Sequence, residues 1–126
     1  MRIAFDIDDT LWKIVPYNCP NPNGAQMVCL CGKHFRQVPD YDLIQVLRWF
    51  VQNGDEVFVW SGGGVDYAGM VITKLGLHGM VTIIPKTELG DTSNPNKIDI
   101  AFDDNSGESL ARVNVIVKRE HNHKQI

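Results

Sequence analysis

A chain of 126 residues has room for one domain with a real core and little left for a second. Its composition, 44% hydrophobic and 21% charged with a net charge of −3, suits a globular protein; it offers no general footprint for nucleic acid or an anionic membrane, although a local basic groove stays open. No apolar run reaches the ~18 residues of a membrane span, no signal-peptide pattern opens the chain, and the odd count of cysteines argues against a secreted disulfide framework, so a cytoplasmic protein is expected.

The first element is Met1–Phe5, whose Ile3, Ala4 and Phe5 fit a strand buried on both faces. It ends in Asp6, Asp8 and Asp9, residues depleted from strands and rarely buried without a partner. Residues 15–40 are crowded with Pro, Asn, Gly and Cys, which suits turns or a small hairpin; residues 13–40 are read as a flap inserted after the first strand. Leu43, Val46, Leu47 and Phe50 recur at helical steps, predicting an amphipathic helix over 40–53 with Asp40 or Asp42 as its cap. Glu56–Trp60 reads as a second buried strand, broken abruptly by Ser61-Gly62-Gly63-Gly64. A helix over Val65–Leu75, a third strand over Met80–Ile84, and a polar loop over Lys86–Asn96 follow. Ile98–Phe102 is a fourth strand ending in Asp103-Asp104; a turn or short helix near 106–111 leads to a fifth strand, Val113–Val117. The polar tail 118–126, with His121 and His123, reads as frayed. No repeat or linker divides the chain.

Strands alternating with helices predict an α/β domain with a mainly parallel, doubly wound sheet of five strands, in which ligands bind outside the strands' carboxyl ends. Asp6/Asp8/Asp9, Ser61 with its glycines, and Asp103/Asp104 all follow such ends. Carboxylates gathered at one rim repel unless a cation lies between them, and oxygen ligands select a hard ion such as Mg²⁺. Asp6 and Asp103 are the expected direct ligands, with Asp104 orienting a metal-bound water. A carboxylate beside Mg²⁺ is a nucleophile toward phosphorus, and a second one two residues on, Asp8, can protonate the leaving oxygen and then activate water. Ser61 offers a hydroxyl to a phosphoryl oxygen, and Gly62–Gly64 either an amide nest or a plain turn. Lys97 is favoured over Lys86 as the neutralising cation. Trp12 beside the acids either packs or stacks on a substrate ring.

Asp6-Ile7-Asp8-Asp9-Thr10 after a strand, Ser61 after a second, Lys97, and Asp103-Asp104 after a later one resemble, in that order, the motifs of the haloacid dehalogenase superfamily. Together they span nearly the whole chain. The resemblance implies a three-layer Rossmann-like core and Mg²⁺-dependent hydrolysis of phosphate monoesters through an aspartyl-phosphate. Asp6 would be the nucleophile, Asp8 the acid/base, and Ser61 and Lys97 the phosphoryl-holding pair. Mg²⁺ would rest on Asp6, the backbone carbonyl of Asp8, Asp103 and Asp104. An acid at Asp8 resembles the phosphatase branch, and Thr10-Leu11-Trp12 is similar to small capless magnesium-dependent phosphatases. The chain leaves room for only a minimal cap. Capless members act on exposed or macromolecular phosphates or borrow a cap from a neighbouring subunit. Nucleotides, small phosphometabolites and nucleic-acid ends are therefore all open as substrates, as is a homo-oligomer. The competing expectation is an inactive module of the same fold that captures a phosphorylated ligand or a protein partner.

The flap carries a second motif. Cys19, Cys29, Cys31 and His34 supply three sulfurs and an imidazole, enough for a tetrahedral Zn²⁺ that would staple a polar loop. The Cys-x-Cys gap is tighter than usual for zinc, which leaves unligated thiols as the other reading.

Overall fold

The computed structural model describes residues 1–16, 26–30, 33–85, 97–104 and 110–118. The part beyond 118 of the tail expected to fray, the turn or short helix expected near 106–111 apart from 110 and 111, and the loop expected over 86–96 lie outside the described residues. Two sheets are present. The larger contains β1 (Arg2–Asp6), β5 (Glu56–Trp60), β6 (Thr82–Ile83), β7 (Ile100–Asp103) and β8 (Val113–Ile116), in the order β6-β5-β1-β7-β8. Every pairing in it is parallel. Between β1 and β5, β2 (Trp12–Pro16), β3 (Gln26–Leu30) and β4 (Lys33–Pro39) form an antiparallel sheet in the order β2-β4-β3. The flap expected over 13–40 is thus a three-stranded sheet and not a hairpin. Its strands lack strong local patterning, and β4 is defined by pairing on both sides.

Helix α1 (Tyr41–Gln52) starts where Asp40 accepts a hydrogen bond from the Leu43 amide at 3.1 Å, and the Asp40 amide donates to the Leu11 carbonyl at 2.9 Å. That pair fastens the helix to the turn carrying the aspartates. Its Ile44, Leu47 and Phe50 are buried, as are Ala68, Val71 and Ile72 of α2 (Val65–Lys74). Both helices pack on the face of the sheet that shows Ile3, Phe5, Val57 and Val59. Right-handed crossovers running the same way, β1 to β5 to β6, require this shared face. The return to β7 runs the other way; Ile84 and Ile98, which bracket it, pack with Ala4, Phe58, Trp60 and Ala101 on the opposite face. Among the described residues helices cover one face only, so the third layer of the expected architecture is not seen there.

Phe5 and Phe102 are register partners whose rings stack at 4.5 Å and 3°, with Phe50 tilted against both at 6.4 and 6.2 Å. Burying each such ring contributes about 2 kcal/mol. This aromatic cluster sits directly under the sheet's reversal point and sets the spacing of the two residues that follow, Asp6 and Asp103.

Candidate active site

Beyond Phe5 and Phe102, β1 and β7 end side by side in Asp6 and Asp103. From β1 the chain winds outward to β5 and β6, then returns to β7 and β8 on the other side. The carboxyl ends of β1 and β7 therefore flank the point where strand order reverses, the usual ligand crevice of such sheets. Carboxylate oxygens of Asp6, Asp103 and Asp104 all lie within 4.8 Å of one another. Asp6 and Asp103 are buried, and Asp104 is half-buried.

Burial, and then the neighbouring charges of Asp103 and Asp104, push the Asp6 carboxyl up to about 9. Three acceptors in a buried space have no stable fully ionised state by themselves. An all-carboxylate donor set with partial burial fits a hard divalent ion of the Mg²⁺ class, and Asp6, Asp103 and Asp104 are the side chains that would hold it.

The chain leaves β1 in a tight turn. The amides of Thr10, Leu11 and Trp12 all point at the Ile7 carbonyl, at 3.2, 3.0 and 3.4 Å, and Asp9 takes a left-handed φ of 60°. Aspartate tolerates that conformation better than most residues. The turn brings the Thr10 hydroxyl to Asp6, donating to Oδ2 at 3.2 Å. It also turns Asp8 toward the end of β5. There Asp8 Oδ1 accepts from Tyr67 Oη at 2.6 Å and Trp12 Nε1 at 3.4 Å, while Oδ2 accepts from Ser61 Oγ at 3.3 Å.

Ser61 thus reaches the rim as expected, bonded to the proposed proton carrier. The Gly63 amide donates to Ser61 Oγ at 3.0 Å and the Gly64 amide to the Ser61 carbonyl at 3.2 Å, which closes a turn. Two of the three glycine amides are used inside that turn, so the amide nest is not formed in this arrangement. Gly62 lies exposed beside it. Trp12 is 3% exposed and its indole N–H donates to Asp8, so of the two expected roles, packing and stacking, its placement here matches packing.

Lys97 requires a correction. It lines a recess with Met1, Arg2, Glu56 and Asp99, at the amino ends of the parallel strands. The Asp99 amide donates to the Arg2 carbonyl at 2.9 Å, and the Arg2 amide to Asp99 Oδ2 at 2.8 Å. The length of β1, roughly 13 Å, separates this edge from Asp6, which is beyond the reach of a lysine. Lys86, the other candidate, lies outside the described residues, as do Cys19 and Cys31. Cys29 and His34 are direct cross-strand partners in the β3–β4 register.

Two residues at the site were not anticipated. Tyr67 occupies the first turn of α2, and Gln37 of β4 donates from Nε2 to Tyr67 Oη at 3.3 Å. Helical side chains tilt toward the N-terminus, so a residue in the first turn after the Ser61 turn leans back toward the rim. That was the available signal for Tyr67. Gln37 comes from an insertion whose pairing no local pattern reveals. No helix among the described residues is long and apolar enough to cross a membrane. No family model matches the chain, and no curated protein matches it.

Proposed function

We propose that this protein is a Mg²⁺-dependent phosphohydrolase acting on phosphate monoesters through an aspartyl-phosphate on Asp6. The observation that carries the reading is the juxtaposition of a buried three-carboxylate cluster at the sheet's reversal point with a second acid, Asp8, one turn away and bonded to Ser61. Mg²⁺ held by Asp6, Asp103 and Asp104 would supply positive charge that keeps Asp6 ionised and balances the phosphoryl oxygens.

In the first step an Asp6 oxygen attacks phosphorus, the ester P–O bond breaks, and Asp8 gives its proton to the departing oxygen. The Thr10 hydroxyl bonded to Asp6 Oδ2 holds that carboxyl in one orientation, so that Oδ1 is the attacking atom. In the second step Asp8, now ionised, takes a proton from water as it attacks the phosphorus of the acyl-phosphate. Inorganic phosphate leaves and the Asp6 carboxylate is restored. Ser61 has a single hydroxyl proton, given to Asp8 in this structure, and turns it to a phosphoryl oxygen when substrate enters.

Hydrolysis of 4-nitrophenyl phosphate in the presence of Mg²⁺, with Asp6→Asn and Asp8→Asn alongside, tests the reading. Turnover should vanish with Asp6→Asn, and a phosphorylated wild-type enzyme should be trappable by acid quench. Equal rates for wild type and Asp6→Asn would refute it, and a wild type that binds the ester with no turnover would favour the binding-module alternative.

A further inference from the structure

We infer that Tyr67 is a positioning residue for the proton carrier Asp8, set in place by Gln37 of the antiparallel sheet and by the absent side chain at Gly63. The inference rests on the phosphatase reading and adds a residue to it.

The Tyr67 bond to Asp8, 2.6 Å, is the shortest of the three on that carboxylate. A phenol has one proton, and here it is committed to Asp8. The Gln37 amide then supplies a donor to the phenol oxygen at 3.3 Å, which fixes the ring's hydroxyl from the other side. The ring also occupies the space that a side chain on residue 63 would take. An ideal Cβ there would stand 3.0 Å from Tyr67 Cδ2 and 3.3 Å from Cγ. The Ser61-Gly62-Gly63-Gly64-Val65-Asp66-Tyr67 stretch is in this sense one device. It sends two hydroxyl donors, six residues apart, to the same carboxylate.

The distribution of donors assigns the two oxygens different work. Tyr67 and Trp12 both bond Oδ1, which is anchored. Among the described residues Oδ2 takes a single bond, 3.3 Å from Ser61, the residue that must turn to the substrate. Oδ2 is therefore the oxygen that carries the proton. Removing the Tyr67 hydroxyl frees the carboxyl to rotate and lose that aim, without touching the nucleophile or the cation cluster.

The test uses two esters and two variants. The nitrophenolate of 4-nitrophenyl phosphate departs without a proton, whereas the alkoxide of an alkyl phosphate requires one. With Tyr67→Phe, single-turnover cleavage of the alkyl ester should fall by about 30-fold, against less than about threefold for the nitrophenyl ester, with KM within about twofold for both. Gly63→Ala, which keeps the phenol but displaces its ring, should show the same asymmetry; it carries the test if Tyr67→Phe does not fold. An equal loss on both esters, or no loss, or a change confined to KM, would overturn the positioning role while the phosphatase reading stands. A wild type that cleaves neither ester, or an Asp6→Asn variant as active as wild type, would overturn both.

Discussion

The cluster of Asp6, Asp103 and Asp104 makes a quantitative prediction about the protein stripped of divalent ions. In the unfolded chain Asp6 titrates near its ordinary value of 3.8, whereas in the folded protein it titrates at about 9. Between those values the folded state binds one proton more than the unfolded state. Stability must then fall as pH rises, by at most about 1.4 kcal/mol per pH unit, the linkage for one proton. For a domain of this length the unfolding entropy converts that to about 5 °C in Tm per unit. The assay is thermal unfolding in chelator between pH 6 and 8, for wild type and Asp6→Asn. Taking the difference between the two proteins removes what is common to both. Wild type should lose up to about 10 °C relative to Asp6→Asn across that interval, and saturating Mg²⁺ should remove most of the slope. Parallel curves for the two chelated proteins would refute the claim that Asp6 is held protonated by burial and by its acidic neighbours.

Three further outcomes follow from the same geometry. A cation that must displace the Asp6 proton binds up to tenfold more weakly for each unit of pH below about 9, so a tenfold rise in Mg²⁺ should move the acidic limb of the pH–rate profile about one unit lower; a limb that stays put would assign it to another group. Gly64 caps α2 at φ 99° and ψ 172°, a region open essentially to glycine alone, so Gly64→Ala should cost about 2 kcal/mol by denaturant unfolding. Leu47→Ala, at a fully buried position of α1, should cost about 3 kcal/mol in the same assay and leave KM unchanged.

The parts of this fold that could be read from sequence are those where a local pattern and the tertiary environment agree. Glu56–Trp60 is the strand its apolar run predicts, and α1 carries Leu47 and Phe50 on its buried face with Asp40 as cap. The acids were legible because Asp6 and Asp103 directly end apolar runs, and a buried strand offers no other reason to stop in carboxylates. The small sheet was not legible, since Lys33–Pro39 becomes a strand through partners on both sides. Lys97 was misplaced for a reason the sequence already contained. In an all-parallel sheet a residue just before a strand lies at the amino edge, and one just after lies at the carboxyl rim. By that rule Lys97, ahead of β7, belongs with Arg2 and Glu56, and Tyr67, in the helix after β5, belongs with Asp8.

The same rule explains how two acids only two residues apart come to suit the opposite roles proposed for them. Asp6 is the last residue of its strand and faces the end of β7, so its neighbours are Asp103 and Asp104, which accept and do not donate. Either a proton or a cation relieves that cluster, and a carboxylate bound to a cation stays ionised. Such a group is suited to attack phosphorus and unsuited to carrying a proton back and forth. Asp8 lies past the turn and faces the end of β5, where it meets the Ser61, Trp12 and Tyr67 donors. Neutral donors fix the direction of a carboxyl without placing a metal ion on it, which leaves an oxygen open to the proton that a group acting as acid in one step and base in the next must exchange. Exchanging the roles would demand a proton on the oxygen that binds the cation and a nucleophile pinned by three donors. The division of labour we propose for Asp6 and Asp8 therefore rests on which neighbouring strand each one faces, and the turn at Asp9 is what separates the two directions.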